Sequence, residues 1–356
     1  MLLTNNWQVS PSGGRELLCK LNHDVLQDIY GNGLVLLELS RRPLHGPLSI
    51  LNAFWGYIDG VTCAAIDNVL HTIQTENVDK VFVDGSNLGQ VVKVIKQHFP
   101  QIQVCTFFHN VETRFFLGSF RQAKTLRALA VLIVNYLAER KSVRFSDKII
   151  CLSERDSCQL KKYFGRAATH VTPMALQDQF PACGDSIVKT SNPRFALFVG
   201  GGFYANRAGI SWFVKNVVPR IQMKICIVGR GFEDLKSKLE RAGAVEVVGA
   251  VESLSEWYLR AQFVIAPIFD GSGMKTKVAE ALMYGKKIIG TPEAFSGYED
   301  IADRAGWVCA TADDFVDAIG RATNAVTKSF DPELRALYEE KYSLPAARLR
   351  LTEILG

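Results

Sequence analysis

Residues 271–292 read GSGMKTKVAEALMYGKKIIGTP. The stretch follows an apolar run, Phe263–Ile268, that reads as a buried strand, and it contains a second such run, Lys286–Gly290. Between them lies a helical segment, Val278–Tyr284. Strand, glycine loop, helix and strand in that order form the βαβ unit of a parallel sheet. Glycines at a strand-to-helix turn let backbone N–H groups approach an anion, and the helix N-terminus adds positive potential. Lys275 and Lys277 can neutralise a diphosphate there. Glu280 stands three residues after Lys277 on the same helical face and can accept hydrogen bonds from adjacent sugar hydroxyls. A solvated Lys–Glu pair on a surface helix is the alternative, but such a helix does not need GSG ahead of it.

The same alternation extends in both directions. Before the stretch, strands are expected at Phe195–Gly200, Lys224–Gly229 and Val245–Val248, and after it at Gly306–Ala310. In the first half, strands are expected at Met1–Asn5, Leu34–Leu39, Lys80–Val83, Val104–His109 and Lys148–Leu152. Helical segments fall at Arg15–Tyr30, Ile58–Thr75, Leu88–His98, Glu154–Phe164 and, as one long helix, near Gln122–Phe145. The polar stretch at 184–193 is the expected linker. It divides an N-terminal domain, 1–183, from a C-terminal one, 194–330, with helices over 331–356 that would pack back on the first domain. The fold class is therefore α/β: two Rossmann-like parallel-sheet domains facing a cleft, with ligands at the carboxyl ends of the strands.

Composition supports an ordinary globular chain. It has 356 residues, 48% of them apolar and 22% charged, with a formal net charge of +5. That length suggests two cores, and so mild a charge favours no nucleic-acid partner. The eight cysteines lie mostly in apolar runs without CxxC spacing, which reads as buried thiols rather than disulfides or a zinc site. The N-terminus lacks a signal-peptide pattern, and the longest apolar stretch, Ala128–Ala138, is too short to span a bilayer. A cytoplasmic protein is expected. Three further glycine clusters precede helices: Ser12-Gly13-Gly14, Gly200-Gly201-Gly202 and Gly229-Arg230-Gly231. Neither of the last two completes GxGxxG, and GKS or GKT is absent, so dehydrogenase and P-loop readings are weak.

From Phe195 to Glu299 the sequence resembles the donor-binding domain of the retaining, family-four glycosyltransferases of the GT-B fold. The matching features run in order: FVGGGFYANRAGISWFV, KICIVGRG, VEVVGAVESLSEWYLRAQFVIAP and DGSGMKTKVAEALMYGKKIIGTP. In the first half TFFHNVE and SDKIICLSERD are looser matches. The resemblance implies that a nucleotide-diphosphate sugar is the donor, that no cofactor or metal is needed, and that configuration is retained. It implies donor-binding roles for Gly200, Gly201, Gly202, Asn206, Gly229, Arg230, Gly249, Val251 and the loop Asp270, Gly271, Ser272, Gly273, Met274, Lys275, Thr276 and Lys277. Glu280 would hold the ribose hydroxyls, and His109 would sit near the reacting sugar. Gly13, Gly14, Asn110 and Glu112 would line the acceptor side, the two glycines alternatively touching the phosphate and Glu112 serving as a base, an acceptor ligand or a helix cap. His109, Lys275 and Glu280 are the implied catalytic set. Two departures mark a subgroup with the GSG-x-(Arg/Lys)-x-Lys pattern. Ser272 stands where the family's first glutamate would be, so Asp270 or loop backbone must replace it, and the first donor loop supplies only Arg207.

Transfer through an oxocarbenium-like state needs cations and amide dipoles at the departing diphosphate, a role that Lys275, Lys277 and the loop amides can fill. No Asp-x-Asp metal motif is present. Residues 114–148 carry eight cations against two carboxylates, a local +6. With Phe115, Phe116, Leu117 and Phe120 interleaved, this segment reads either as an amphipathic surface for an anionic membrane or as a core helix with solvated ends. The expected acceptor is a glycan or a lipid-linked molecule at the inner face of the cytoplasmic membrane, in bacterial surface polysaccharide synthesis. A nucleotide-sugar epimerase and a catalytically silent sugar-nucleotide-binding scaffold are the alternatives.

Overall fold

The computed structural model describes residues 1–9, 14–40, 47–181, 195–326 and 330–356. The linker expected at 184–193 and the acceptor-side Gly13 lie outside them. The chain divides into two compact units: Met1–Met174 with Ala347–Gly356, and Ala175–Ala346.

The first unit holds a parallel sheet of β1 (Leu2–Thr4), β2 (Leu36–Glu38), β3 (Lys80–Asp84), β4 (Gln103–Phe108), β5 (Lys148–Cys151) and β6 (His170–Val171), in the order β2-β1-β3-β4-β5-β6. Its helices are α1 (Gly14–Tyr30), α2 (Pro47–Phe54), α3 (Cys63–Thr75), α4 (Gly89–His98), α5 (Glu112–Ala123), α6 (Leu126–Phe145) and α7 (Glu154–Phe164). Val81, Val83 and Val104 of the central strands pack with Val69, Val91, Val92 and Ile95 of α3 and α4 in one core. Strands covered on both faces read as nearly continuous apolar runs, which is why they are visible in the sequence.

Local chemistry sets the ends. The helix expected from Ile58 begins at Cys63, because extended Thr62 accepts the Ala65 N–H on Oγ1 at 3.1 Å. The long helix expected near Gln122–Phe145 is α6, which starts at Leu126, and a separate helix, α5, precedes it. Lys124 turns left-handed at φ 48°, ending α5, and Thr125 Oγ1 then caps α6 by accepting the Ala128 N–H at 3.2 Å. Neither α2 nor β6 was expected: PLSILNAF is apolar nearly all round, and β6 has only 2 residues. The end of the chain belongs to this unit, where Lys80 Nζ donates to the carbonyls of Leu355 (2.7 Å) and Gly356 (3.0 Å).

The second unit holds β7 (Phe195–Val199), β8 (Lys224–Val228), β9 (Val245–Gly249), β10 (Phe263–Ala266), β11 (Ile288–Gly290) and β12 (Gly306–Val308), all parallel, in the order β12-β11-β10-β7-β8-β9. Leu197, Phe198, Ile225, Ile227, Val264, Ile265, Ile288 and Ile289 are completely buried. Each such side chain contributes roughly 1.5–3 kcal/mol of transfer free energy. Helix Tyr204–Asn216 lies so close to the chain after β10 that a Cβ on Gly209 would strike the Pro267 carbonyl.

Each sheet has one point where the strand order reverses. In the first unit β2 and β3 lie on opposite sides of β1; in the second β8 and β10 lie on opposite sides of β7. Open α/β sheets bind ligands at the carboxyl ends of such strand pairs. Among the described residues no helix is long and apolar enough to cross a membrane. Of the described cysteines, Cys19, Cys105, Cys151, Cys226 and Cys309 are buried, whereas Cys63 and Cys158 are exposed; all are free thiols.

Candidate functional site

At the β7/β10 end of the second unit the glycine loops interlock. Gly200 N–H donates to the Val228 carbonyl (3.0 Å), Gly202 N–H to Arg230 (2.8 Å) and Gly229 N–H to Gly249 (2.8 Å). A Cβ on Gly202 would collide with Gly231 backbone, and one on Gly229 with the Gly200 carbonyl. These glycines are therefore needed for loop-against-loop packing as well as for any anion. Arg207 joins two loops, donating from Nε to the Gly202 carbonyl and from Nη2 to that of Gly231, each at 2.7 Å, while Asp234 pairs with its guanidinium. Arg230 is exposed, and Gly231 N–H is held by Glu233 Oε2 at 2.7 Å. The same glutamate lies beside Gly249, after which comes half-buried Val251.

Beyond β10 the loop carries the two lysines in different states. Lys277 is buried; its Nζ donates to Asn206 Oδ1 at 2.9 Å and lies 4.4 Å from the centre of the Phe198 ring. Asn206 in turn donates to the Gly201 carbonyl at 2.8 Å, linking this lysine to the first glycine loop. Burial lowers the Lys277 ammonium from 10.5 to about 7, with Lys275 acting the same way and Glu280 opposing. Lys275 precedes helix Thr276–Met283, and its Nζ donates to the Gly273 carbonyl (2.8 Å) and pairs with Glu293 Oε1 at 3.0 Å. Met274 is buried beside it, and Ser272 offers Lys275 its carbonyl at 3.4 Å. Asp270 accepts the Gly271 N–H at 2.8 Å and a hydrogen bond from Tyr204. Glu280 Oε2 accepts the Tyr258 hydroxyl at 2.7 Å, and burial raises the Glu280 carboxyl above its usual range. Tyr258 is stacked on Tyr284, with centroids 4.8 Å apart.

At the β1/β3 end of the first unit a second polar cluster forms. His109, just after β4, places Nε2 3.0 Å from Asp84 Oδ2 at the end of β3, and both residues are buried. Asn22 Nδ2 donates to Asp84 Oδ1 at 2.7 Å. Burial alone would raise the Asp84 carboxyl, but His109, Asn22 and Cys19 together hold it below its ordinary value. Glu112 opens α5, pairs with Arg15 and is raised by burial, a change that Arg15 opposes. Among the described residues, His109 Nδ1 and Asn110 Oδ1 are buried without a hydrogen-bond partner. Gly14 is the first residue of α1, exposed, with open space beside its Cα.

Behind this cluster lies a carboxylate that the sequence reading counted only as a charge. Fully buried Glu139 of α6 accepts from the N–H groups of Glu112 (2.8 Å) and Thr113 (2.7 Å), from Thr113 Oγ1 (2.6 Å) and from Ser86 Oγ (2.8 Å). It caps α5 from a neighbouring helix, a role with no local sequence signal. Asp84, Glu233, Tyr258 and Glu293 were missed for the same reason. Among the described residues no three His, Cys, Asp or Glu side chains group as a metal-ligand set.

Residues 193–325 match the family model of the glycosyl transferases group 1. That segment contains every second-unit residue described above. No curated protein matches the chain. Solved structures do. HepE from Anabaena in complex with UDP is 13% identical with a TM-score of 0.67, covering 99% of each chain. A glycosyltransferase from Rickettsia africae is 12% identical with a TM-score of 0.64, covering 99% of this chain and 96% of that one. The lipopolysaccharide outer core galactosyltransferase WaaB is 13% identical with a TM-score of 0.63, covering 98% of each chain. At such identities the likeness establishes fold: the two-sheet α/β architecture is that of GT-B glycosyltransferases.

Proposed function

We propose that this protein is a glycosyltransferase that moves a sugar from a nucleoside-diphosphate donor to a hydroxyl acceptor. The observation that carries the reading is the switch point of the group 1 segment. There Lys275 and Lys277 follow a glycine loop at a helix start, and Glu280 lies one turn further along. Cations and amide dipoles there stabilise the diphosphate as it departs, where negative charge develops in the transition state. The Glu280 carboxylate takes the ribose hydroxyls, with Tyr258 fixing its orientation. His109, backed by Asp84, holds a sugar hydroxyl at the acceptor-binding unit. Uridine is the proposed base, since HepE has been solved with UDP and with UDP-glucose. Retention of configuration, catalysis without a metal and a role in surface polysaccharide synthesis complete the proposal; the WaaB likeness supports the last of these.

Acceptor-dependent release of UDP from UDP-sugars, with EDTA present, tests this reading. Release that requires acceptor and survives EDTA supports it. Epimerised donor without acceptor would point to an epimerase, and tight binding without turnover to a silent scaffold.

The first unit is further proposed to rest on an anionic membrane, at the inner face of the cytoplasmic membrane. Helix α2 packs against α6 through Ala53 and Phe54 while leaving Leu48, Ile50, Leu51 and adjoining Trp55 exposed. Exposed Leu126 and the exposed cations Arg121, Lys124 and Arg127 adjoin the start of α6. Apolar side chains flanked by cations suit an anionic interface. Co-sedimentation with anionic but not neutral vesicles, lost on neutralising the three cations, is the expected result. Binding indifferent to lipid charge would sink this idea.

A further inference from the structure

The donor loop holds its own counter-ion. Lys275 Nζ is 3.0 Å from Glu293 Oε1, and the two side chains are only 10% and 14% exposed. Any diphosphate that takes Lys275 must therefore displace a carboxylate already there. That carboxylate cannot go far, because its segment is tied to the donor loop on both sides. Thr291 Oγ1 donates to the Ile268 carbonyl, which precedes the loop, and Tyr298 Oη donates to the Lys275 carbonyl at 3.1 Å. Between these ties, Ala294 N–H donates to Thr291 O at 3.0 Å and Ser296 N–H to Glu293 O at 3.3 Å, forming a compact turn. Once released, Glu293 remains a charged acceptor beside the diphosphate, where a second anion is unfavourable unless donors satisfy it. The hydroxyls of a sugar nucleotide can do so, and with those of the ribose assigned to Glu280 the ones left for Glu293 are those of the transferred sugar. Position 272 offers only a serine for that role, and Asp270 is already engaged by the Gly271 N–H and by Tyr204.

We infer that Glu293 exchanges partners on donor binding: it neutralises Lys275 in the unliganded protein, yields it to the diphosphate, and then accepts the hydroxyls of the transferred sugar. This rests on the glycosyltransferase reading and adds a residue that positions the sugar. The exchange makes nucleoside diphosphate binding weaker than the loop alone would allow, and it makes the sugar contribute more to donor affinity.

Calorimetric titration of the full chain with UDP and with UDP-glucose separates the two effects. Glu293→Gln removes the competing charge, so UDP should bind roughly ten-fold tighter, the scale of one charged hydrogen bond. UDP-glucose should gain clearly less, so the ratio of the two affinities falls. Glu293→Asp, which keeps the charge, should restore part of that ratio, and melting curves check that both variants fold. Unchanged or weaker UDP binding in Glu293→Gln overturns the inference, as do equal gains for UDP and UDP-glucose. Lys275→Ala serves as the reference. If it and the wild-type chain both fail to bind UDP, the donor-site reading itself falls. If only Lys275→Ala fails, that reading stands and the Glu293 variants decide this inference alone.

Discussion

The second unit gathers its switch-point chemistry from one short stretch: Lys275, Lys277 and Glu280 all lie within 271–280, and the glycine loops beside them follow β7 and β8 directly. The first unit draws on Asn22, Asp84, His109, Glu112 and Glu139, which come from separate helices and strand ends. Cations and backbone amides dominate the former, buried carboxylates the latter. A site that binds a phosphate anion can be built locally, because a helix start and its glycine loop already supply donors. A buried carboxylate cluster cannot. Every oxygen there needs a donor, and the donors come from wherever the fold supplies them.

The contrast can be tested variant by variant. The largest effect is expected in the first unit. Glu139→Ala leaves the N–H groups of Glu112 and Thr113 and the hydroxyls of Thr113 and Ser86 without their acceptor, and should cost about 4 kcal/mol of stability by chemical denaturation. A loss under 1 kcal/mol would mean that water replaces the carboxylate easily. The same group has a pH signature. Burial first, and Glu112 second, raise it from 4.5 to about 7, against the donors from Thr113 and Ser86. A raised folded value means that the native state binds the proton more tightly. Its contribution is therefore complete below pH 4.5 and is lost as the pH rises through 7. Relative to Glu139→Gln, the wild type should lose melting temperature as the pH rises from 4.5 through 7, since only the wild type carries the slope; parallel curves would refute the assignment.

Next in size is Lys275, the loop cation of the second unit. Lys275→Ala should weaken UDP-glucose binding about 100-fold at a smaller cost in melting temperature than Glu139→Ala, because it removes one cation from Glu293 rather than one acceptor from four donors. A large drop in melting temperature would make it structural and erase the contrast between the two sites. The smallest effect is expected at Asn206→Ala. Removing the Lys277 acceptor should reduce donor affinity by about ten-fold, and a titration that shows no change would free Lys277 from any role in the loop.

Legibility in the sequence follows the same division. Every strand of both sheets except the two-residue β6 was readable, since burial on both faces imposes continuous apolar runs. The GSG loop and its lysines were readable because their chemistry is local. The basic segment was misread as one helix, because nothing in its composition marks Lys124 as left-handed. Its inward face carries Asn135, Glu139 and Ser142 among apolar residues, so hydrophobic periodicity is a poor guide to which side faces in. Helix α2, apolar nearly all round, has no period to detect, although its Leu48, Ile50 and Leu51 are exposed.

The sequence by itself determined the alternation of strands and helices, hence two parallel sheets, and the placing of cations at one helix start. Only the tertiary structure decided which of those cations is spent. Lys277 lies under the first glycine loop against Asn206 and Phe198, and Lys275 is neutralised by Glu293, eighteen residues downstream. Backbone hydrogen bonding and apolar burial repeat along the chain and leave a periodic trace. Pairing between charges depends on which strand ends the sheet order brings together, and that order is written in no single stretch.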